Sequence, residues 1–266
     1  MPDQQDIADH PTVPIVTVAG GLATVRLNRP RQHNRLEPVD LDRLSDTFVG
    51  VDADPSIRVL VLTGTGTSFS SGFHLGALAD RLAGENGASE DRDAFERTVD
   101  RLEALRVPTI AALNGSVYGG ATDLALACDF RIGVEGMRLL MPATRLGIVY
   151  YASGIRRYVT RLGMAPAKKL FLTAQPIDAG EMLRIGYLDE IVTPENLMAR
   201  AKALAATLSA NAPLAVAGLK RAINEAAGSL DRDALSTVRA ACAASADHAE
   251  GVRAWTEKRA PLFSGR

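Results

Sequence analysis

Two short apolar runs, each breaking into a glycine-bearing turn, constrain the fold of this chain more than any other feature. The first, Arg58-Val59-Leu60-Val61-Leu62-Thr63, stops at Gly64 and leads to Ser68-Phe69-Ser70-Ser71-Gly72-Phe73-His74-Leu75. The second, Thr109 to Leu113, leads to Asn114-Gly115-Ser116-Val117-Tyr118-Gly119-Gly120-Ala121-Thr122-Asp123 and then an apolar stretch, Leu124 to Cys128. Aliphatic and β-branched runs of this length, bounded by turn residues, read as buried strands. Gly119 and Gly120 precede a helical stretch, where backbone N–H groups lack intrahelical partners and the positive dipole end lies behind them. Such groups can hold negative charge developing on oxygen. Tight turns that need small residues account for the same glycines. Spacing alone leaves both readings open.

Around these runs strand and helix alternate. Ile15-Val16-Thr17-Val18 and Ala23-Thr24-Val25-Arg26-Leu27 flank Gly20-Gly21 and read as a hairpin. Leu41, Leu44, Phe48 and Val51 recur every three or four residues behind Pro38, the pattern of an amphipathic helix. Ala83 to Asp93 has no apolar period and reads as a surface loop leading into a helix from about Ala94. After Gly163 the texture turns helical, with helices expected from Ala165, Asp178, Pro194, Pro213, Asp231 and Asp247 and one short strand, Glu190-Ile191-Val192. This order implies an α/β fold with crossover connections and an all-helical last third, an appendage to the core.

Composition narrows the function class. Over 266 residues, Lys+Arg 30 stands against Asp+Glu 31, a net charge of −1, so no nucleic-acid partner is expected. Two cysteines, Cys128 and Cys242, cannot form a disulfide framework, which fits a reducing cytoplasm. The opening Met1-Pro2-Asp3-Gln4-Gln5-Asp6 is acidic and polar, unlike a signal or transit peptide. The longest uncharged run, Val107 to Thr122, falls short of the ~20 apolar residues a span needs, so no membrane is expected and the location is read as cytoplasmic. His10, His33, His74 and His248 show no ligand spacing, and no metal is expected. Gly64-Thr65-Gly66 follows a strand, but Phe69 stands where a dinucleotide loop needs its third glycine.

The two loops, the segment Arg29-Pro30-Arg31-Gln32-His33-Asn34-Arg35-Leu36 and the closing Glu257-Lys258-Arg259-Ala260-Pro261-Leu262-Phe263 resemble the crotonase superfamily, also called the enoyl-CoA hydratase/isomerase family. The similarity runs from about Ile15 to Phe263. It implies a crotonase-like α/β spiral of repeated ββα units over residues 1–193. It implies a helical C-terminal region over 194–266 involved in trimerisation, giving a homo-trimer or a dimer of trimers. The implied substrate is an acyl-CoA, its thioester enolate held by the backbone N–H groups of Phe73 and Gly120, for isomerisation or hydration of an enoyl-CoA. Coenzyme A then enters as part of the thioester, with no separate cofactor. By the same correspondence CoA contacts fall at Arg31, Gln32 and His33, at the Ser71 carbonyl, at His74 and Leu75, and at Lys258 and Phe263. Arg and Lys suit phosphate oxygens, although Arg31 and Lys258 also read as solvated surface charges and His74 as a solvent-facing imidazole.

The resemblance breaks at three places. Hydratases of the family carry two glutamates that activate water; here the first position is Asp123 and the second is Ala143. Alanine moves no proton, and loss of an acid/base group typically costs about 100–10,000-fold. Asp123 is left as the one candidate acid/base carboxylate, with a helix first-turn acid as its bland reading. Where hydratases have a Pro-Gly turn, Tyr150-Tyr151 stand, a local likeness to methylmalonyl-CoA decarboxylases that makes Tyr150 a candidate donor to a substrate carboxylate. Both tyrosines also read as aromatic wall or interface. Two alternatives therefore accompany the isomerase or hydratase reading: decarboxylation of a malonyl-type acyl-CoA using Tyr150, and a non-catalytic acyl-CoA-binding protein.

Overall fold

The strands at the centre of the molecule are apolar at nearly every position because they are covered on both faces, the condition under which parallel strands lose their alternation. The computed structural model describes residues 13–73, 87–146, 148–227, 237, 241, 244–257 and 259–266. Its chain starts with β1 (Ile15–Ala19) and β2 (Leu22–Leu27), the expected antiparallel hairpin. Helix α1 (Pro38–Ala53) follows and buries Leu41, Leu44, Phe48 and Val51, as the periodicity predicts. Then come three ββα turns: β3 (Val59–Gly64), β4 (Ser68–Ser70) and α2 (Gly87–Ala104); β5 (Thr109–Leu113), β6 (Ser116–Tyr118) and α3 (Gly120–Ala127); β7 (Phe130–Val134), β8 (Arg138–Leu140) and α4 (Ala152–Leu162). The remainder is α5 (Met164–Thr173), β9 (Ile177–Asp178), α6 (Ala179–Arg184), β10 (Glu190–Val192), α7 (Leu197–Ser209), α8 (Pro213–Ala226) and α9 (Ala246–Glu257).

From β3 to β8 successive strands alternate between two sheets. The larger has the order β1-β2-β3-β5-β7-β10 and the smaller β4-β6-β8-β9. Each ββα turn thus lays one strand on the large sheet, steps across to the small one and returns through a helix. Parallel pairing of β3 with β5 and of β5 with β7 repeats the step, while β4 pairs with β6 and β6 with β8 in the same sense. That is the α/β spiral of ββα units. Among the described residues no helix is long and apolar enough to cross a membrane.

Two expectations are corrected. Helix α2 starts at Gly87, inside the stretch read as loop. That stretch has no apolar period in the sequence, so periodicity does not reveal the helix start. The helical last third is not wholly an appendage, because α7 packs on β3, β5 and β7 and buries Leu197, Ala201 and Ala205 in the core. The helix expected from Asp231 begins outside the described residues, as does Cys242.

Two buried or half-buried amides fasten the strand-to-strand step. Asn34 donates to the Thr65 and Ser68 carbonyls, each at 2.8 Å, and accepts from the Arg29 N–H at 2.9 Å. Asn114 accepts from the Gly64 N–H at 2.9 Å and donates to the Gly66 and Ser68 carbonyls at 2.8 and 3.1 Å. Asn34→Ala removes three bonds and leaves the half-buried Thr65 carbonyl and Arg29 N–H without their side-chain partner, while Asn114 still meets the Ser68 carbonyl. It is expected to lower unfolding free energy by about 2–3 kcal/mol, read from urea unfolding curves.

Candidate active site

Because β4 and β6 are parallel neighbours, the loops that leave their ends emerge side by side. The first carries Ser71, Gly72 and Phe73; the second passes Gly119 into α3. Gly72 has φ +90°, a conformation open to glycine, and a Cβ on it would stand 2.6 Å from the Tyr118 oxygen and 3.1 Å from the Gly120 nitrogen. Only a residue without a side chain lets the loops meet. Phe73 forms an isolated parallel bridge with Leu36, in which the Leu36 N–H donates to the Gly72 carbonyl at 2.9 Å. The N–H groups of Phe73 and Gly120 have no hydrogen-bond partner among the described residues. Gly120 is the first residue of α3, so its free N–H sits at the positive end of the helix.

The expected CoA strip lies beside the first loop. A short 3-10 turn over Pro30–Gln32 leaves Arg31, Gln32 and His33 exposed. The Ser71 N–H donates to the His33 carbonyl at 2.7 Å and its hydroxyl to the Gln32 carbonyl at 3.2 Å. His33 Nδ1 lies 2.9 Å from Ser68 Oγ. Phe263 is elsewhere: its half-buried ring packs on Gly251 of α9, where a Cβ would stand 3.6 Å away. The tail around it is tied to its own helix, with Ser264 and Gly265 N–H groups donating to Asp247 and the Leu262 N–H to Glu250. His74, Leu75 and Lys258 lie outside the described residues.

One turn beyond Gly120, Asp123 faces inward and is fully buried. Arg157 of α4 grips it, Nε to Oδ1 at 3.0 Å and Nη2 to Oδ2 at 2.9 Å, and the Tyr151 hydroxyl donates to Oδ2. This changes the expectation for Asp123: a carboxylate with three donors and no exposed surface does not meet a substrate directly. Arg157 is itself fully buried and also bonds Asp100 at 2.7 Å and Glu103 at 3.0 Å. Burial opposes its charge, but Asp123's hydrogen bonds and charge outweigh that and raise its pKa further.

Tyr150 stacks on Tyr151 with ring centroids 4.4 Å apart and packs against Tyr158 and Phe171. Its hydroxyl is buried and has no hydrogen-bond partner among the described residues. Burial, then the Asp123 charge, raises the pKa of Tyr150, and the same two causes raise that of Tyr151. Both phenols are therefore neutral at physiological pH. Ala143, at the second carboxylate position, is buried and supplies no proton-carrying group.

Comparison with known proteins fixes the family. A family model described as enoyl-CoA hydratase/isomerase matches residues 17–266. The chain belongs to that family. Crotonyl-CoA hydratase of Syntrophomonas wolfei is 35% identical over 251 residues, covering 91% of this chain and 94% of the relative. Short-chain-enoyl-CoA hydratase of Clostridium acetobutylicum is 34% identical over 251 residues, covering 92% and 95%. The crystal structure of an enoyl-CoA hydratase from Bacillus anthracis matches with a TM-score of 0.84 at 31% identity, over 95% of this chain and 99% of that one.

For a member of the enoyl-CoA hydratase/isomerase family, the residues that sequence reading missed are Phe95 and Arg157, and it read Tyr151 as aromatic wall or interface without its bond to Asp123. Phe95 of α2 packs on Phe73 at 6.0 Å and edge-on to Tyr151 at 6.2 Å, and a Cβ on Gly120 would stand 2.8 Å from its ring. The signal for Arg157 was present, since it takes an inward position with Gly154, Tyr158 and Leu162 on α4. Arg157→Met strands a buried carboxylate and is expected to cost about 3–5 kcal/mol of stability, part of it recovered when Asp123→Asn is added. Thermal or urea unfolding of the two single variants and the double variant measures this.

Proposed function

We propose that the protein binds an acyl-CoA with the thioester oxygen between the N–H groups of Phe73 and Gly120, stabilises the enolate, and moves the double bond of an enoyl-CoA. The observation that carries this reading is the meeting of the two loops at Gly72, with two unpartnered N–H groups beside it. Donors fixed in place before charge develops give the largest share of stabilisation in reactions of this kind. Arg31, Gln32, His33 and Ser71 form the CoA strip, while contacts from His74, Leu75, Lys258 and Phe263 rest on the family resemblance alone. No cofactor beyond the thioester's own coenzyme A is called on. With Asp123 enclosed and Ala143 in the second place, double-bond isomerisation is favoured over hydration, which uses two acid/base groups on one water.

Decarboxylation of a malonyl-type acyl-CoA is the second reading, favoured by the buried Tyr150 hydroxyl that lacks an acceptor. Loss of CO2 leaves an enolate for the same hole and needs no base. For assembly we propose a homo-trimer or dimer of trimers in the cytoplasm. Leu214, Leu219 and Ile223 of α8, exposed by 38%, 63% and 68%, support an interface in the C-terminal region.

The test is mass spectrometry of products from a panel of 2-enoyl-, 3-enoyl-, methylmalonyl- and ethylmalonyl-CoA. A shifted double bond supports the isomerase reading, whereas loss of CO2 supports the second. Binding without turnover of any member would leave a carrier. Gly72→Ala, which pushes the loops apart, is expected to lower kcat by about 100-fold or more, checked by steady-state kinetics on whichever substrate turns over.

A further inference from the structure

The same geometry assigns the proton-carrying step. Asp123 is the carboxylate nearest the hole by sequence, three residues after Gly120 and so about 4.5 Å along the helix axis on the same face. Yet it is fully buried, and both oxygens are occupied by Arg157 and Tyr151. Tyr151 is the half-buried member of this group. Its hydroxyl gives its hydrogen to Asp123 Oδ2, and the Arg157 Nη2 stands 3.5 Å from the Tyr151 oxygen as a donor. Its ring meets Phe95, which in turn meets Phe73 and Gly120, so one aromatic ring joins Tyr151 to both residues of the hole. Tyr150, stacked beside it, makes no such bond to Asp123, and its hydroxyl has no hydrogen-bond partner among the described residues.

We propose that Tyr151, backed by Asp123, carries the proton in the enolate chemistry, and that Arg157 is the positioning residue that holds the pair. The inference rests on the acyl-CoA reading above. In the step, the thioester α-C–H bond breaks and its electron pair moves to the thioester oxygen held by the Phe73 and Gly120 N–H groups. The proton joins the Tyr151 oxygen as the hydrogen already there passes to Asp123 Oδ2. Running the relay backwards at the γ-carbon returns a proton to the substrate, restores Tyr151 and the Asp123 carboxylate, and leaves the double bond moved. Charge never accumulates on the phenol, which suits a hydroxyl held neutral by burial. A lone Asp123 would have to leave its guanidinium to reach the substrate.

The test uses the full-length protein and butyryl-CoA in D2O, with deuterium entry at the α-carbon read by mass spectrometry and dissociation constants measured by titration. Tyr151→Phe is expected to slow exchange by about 100-fold or more, the size of a lost acid/base group, with butyryl-CoA affinity nearly unchanged. Arg157→Lys keeps a cation but loses the two-pronged grip. It is expected to lower kcat for isomerisation while leaving KM close to that of the unaltered protein, a split that general loosening of the fold does not give. Exchange by Tyr151→Phe within about tenfold of the unaltered protein overturns the proposal. So does loss of exchange in Tyr150→Phe with Tyr151→Phe intact. If the unaltered protein neither exchanges nor converts any acyl-CoA, the acyl-CoA reading and this inference fall together; exchange that survives Tyr151→Phe removes the inference alone.

Discussion

Parallel pairing of two three-residue strands, β4 and β6, is the constraint on which the rest of the site depends. It sets two chain segments about 4.8 Å apart at their ends, the spacing of neighbouring strands. Everything that follows uses that closeness. Gly72 accepts it by having no side chain, Gly119 turns into the helix with φ +55°, and the free N–H groups of Phe73 and Gly120 flank the junction. Asn34 and Asn114 keep it by satisfying the carbonyls of the connecting turn at Thr65, Gly66 and Ser68. The large sheet supplies rigidity behind this junction and the small sheet supplies its geometry.

A second layer of organisation is electrostatic. Helices α2, α3 and α4 meet around a guanidinium without solvent contact, and their acidic residues Asp100, Glu103 and Asp123 neutralise it from three sides. Arg156 and Arg161 bond Glu103 from the same helix as Arg157, so charges of both signs alternate through the cluster. Burial on this scale is tolerable because each donor has an acceptor. The aromatic wall of Phe73, Phe95, Tyr150 and Tyr151 is laid over this cluster.

Much of this was legible in the amino-acid sequence, and the parts that were not share a physical reason. The hairpin at Gly20-Gly21, helix α1 and strand β5 follow from local periodicity, which needs no knowledge of distant residues. The strands of the small sheet are two or three residues long, too short to show an alternation, so β4 and β6 read as parts of turns and β8 and β9 give no strand signal. The glycines of the two loops were visible, and resemblance to a family gave them a role. Asp123 was visible too, but its state is decided by Arg157 and Tyr151, 34 and 28 residues downstream, and no spacing rule links them. Phe95 was hidden for the same reason: its importance lies in the Gly120 against which its ring rests.

The ion-pair cluster also bears on the order in which the molecule forms. Its bonds join residues 34 to 57 positions apart, drawn from all three turns of the spiral. Loop-closure entropy must be met before such contacts give anything back. The strands of each turn can pair while the cluster is still hydrated and open. Desolvation of Arg157 and Asp123 then requires the last of the three helices to arrive. A chain that has acquired its sheets but not this final closure has the Gly72 junction with no ordered Tyr151 near it, so on the mechanism proposed above chemical competence is among the last properties that folding confers.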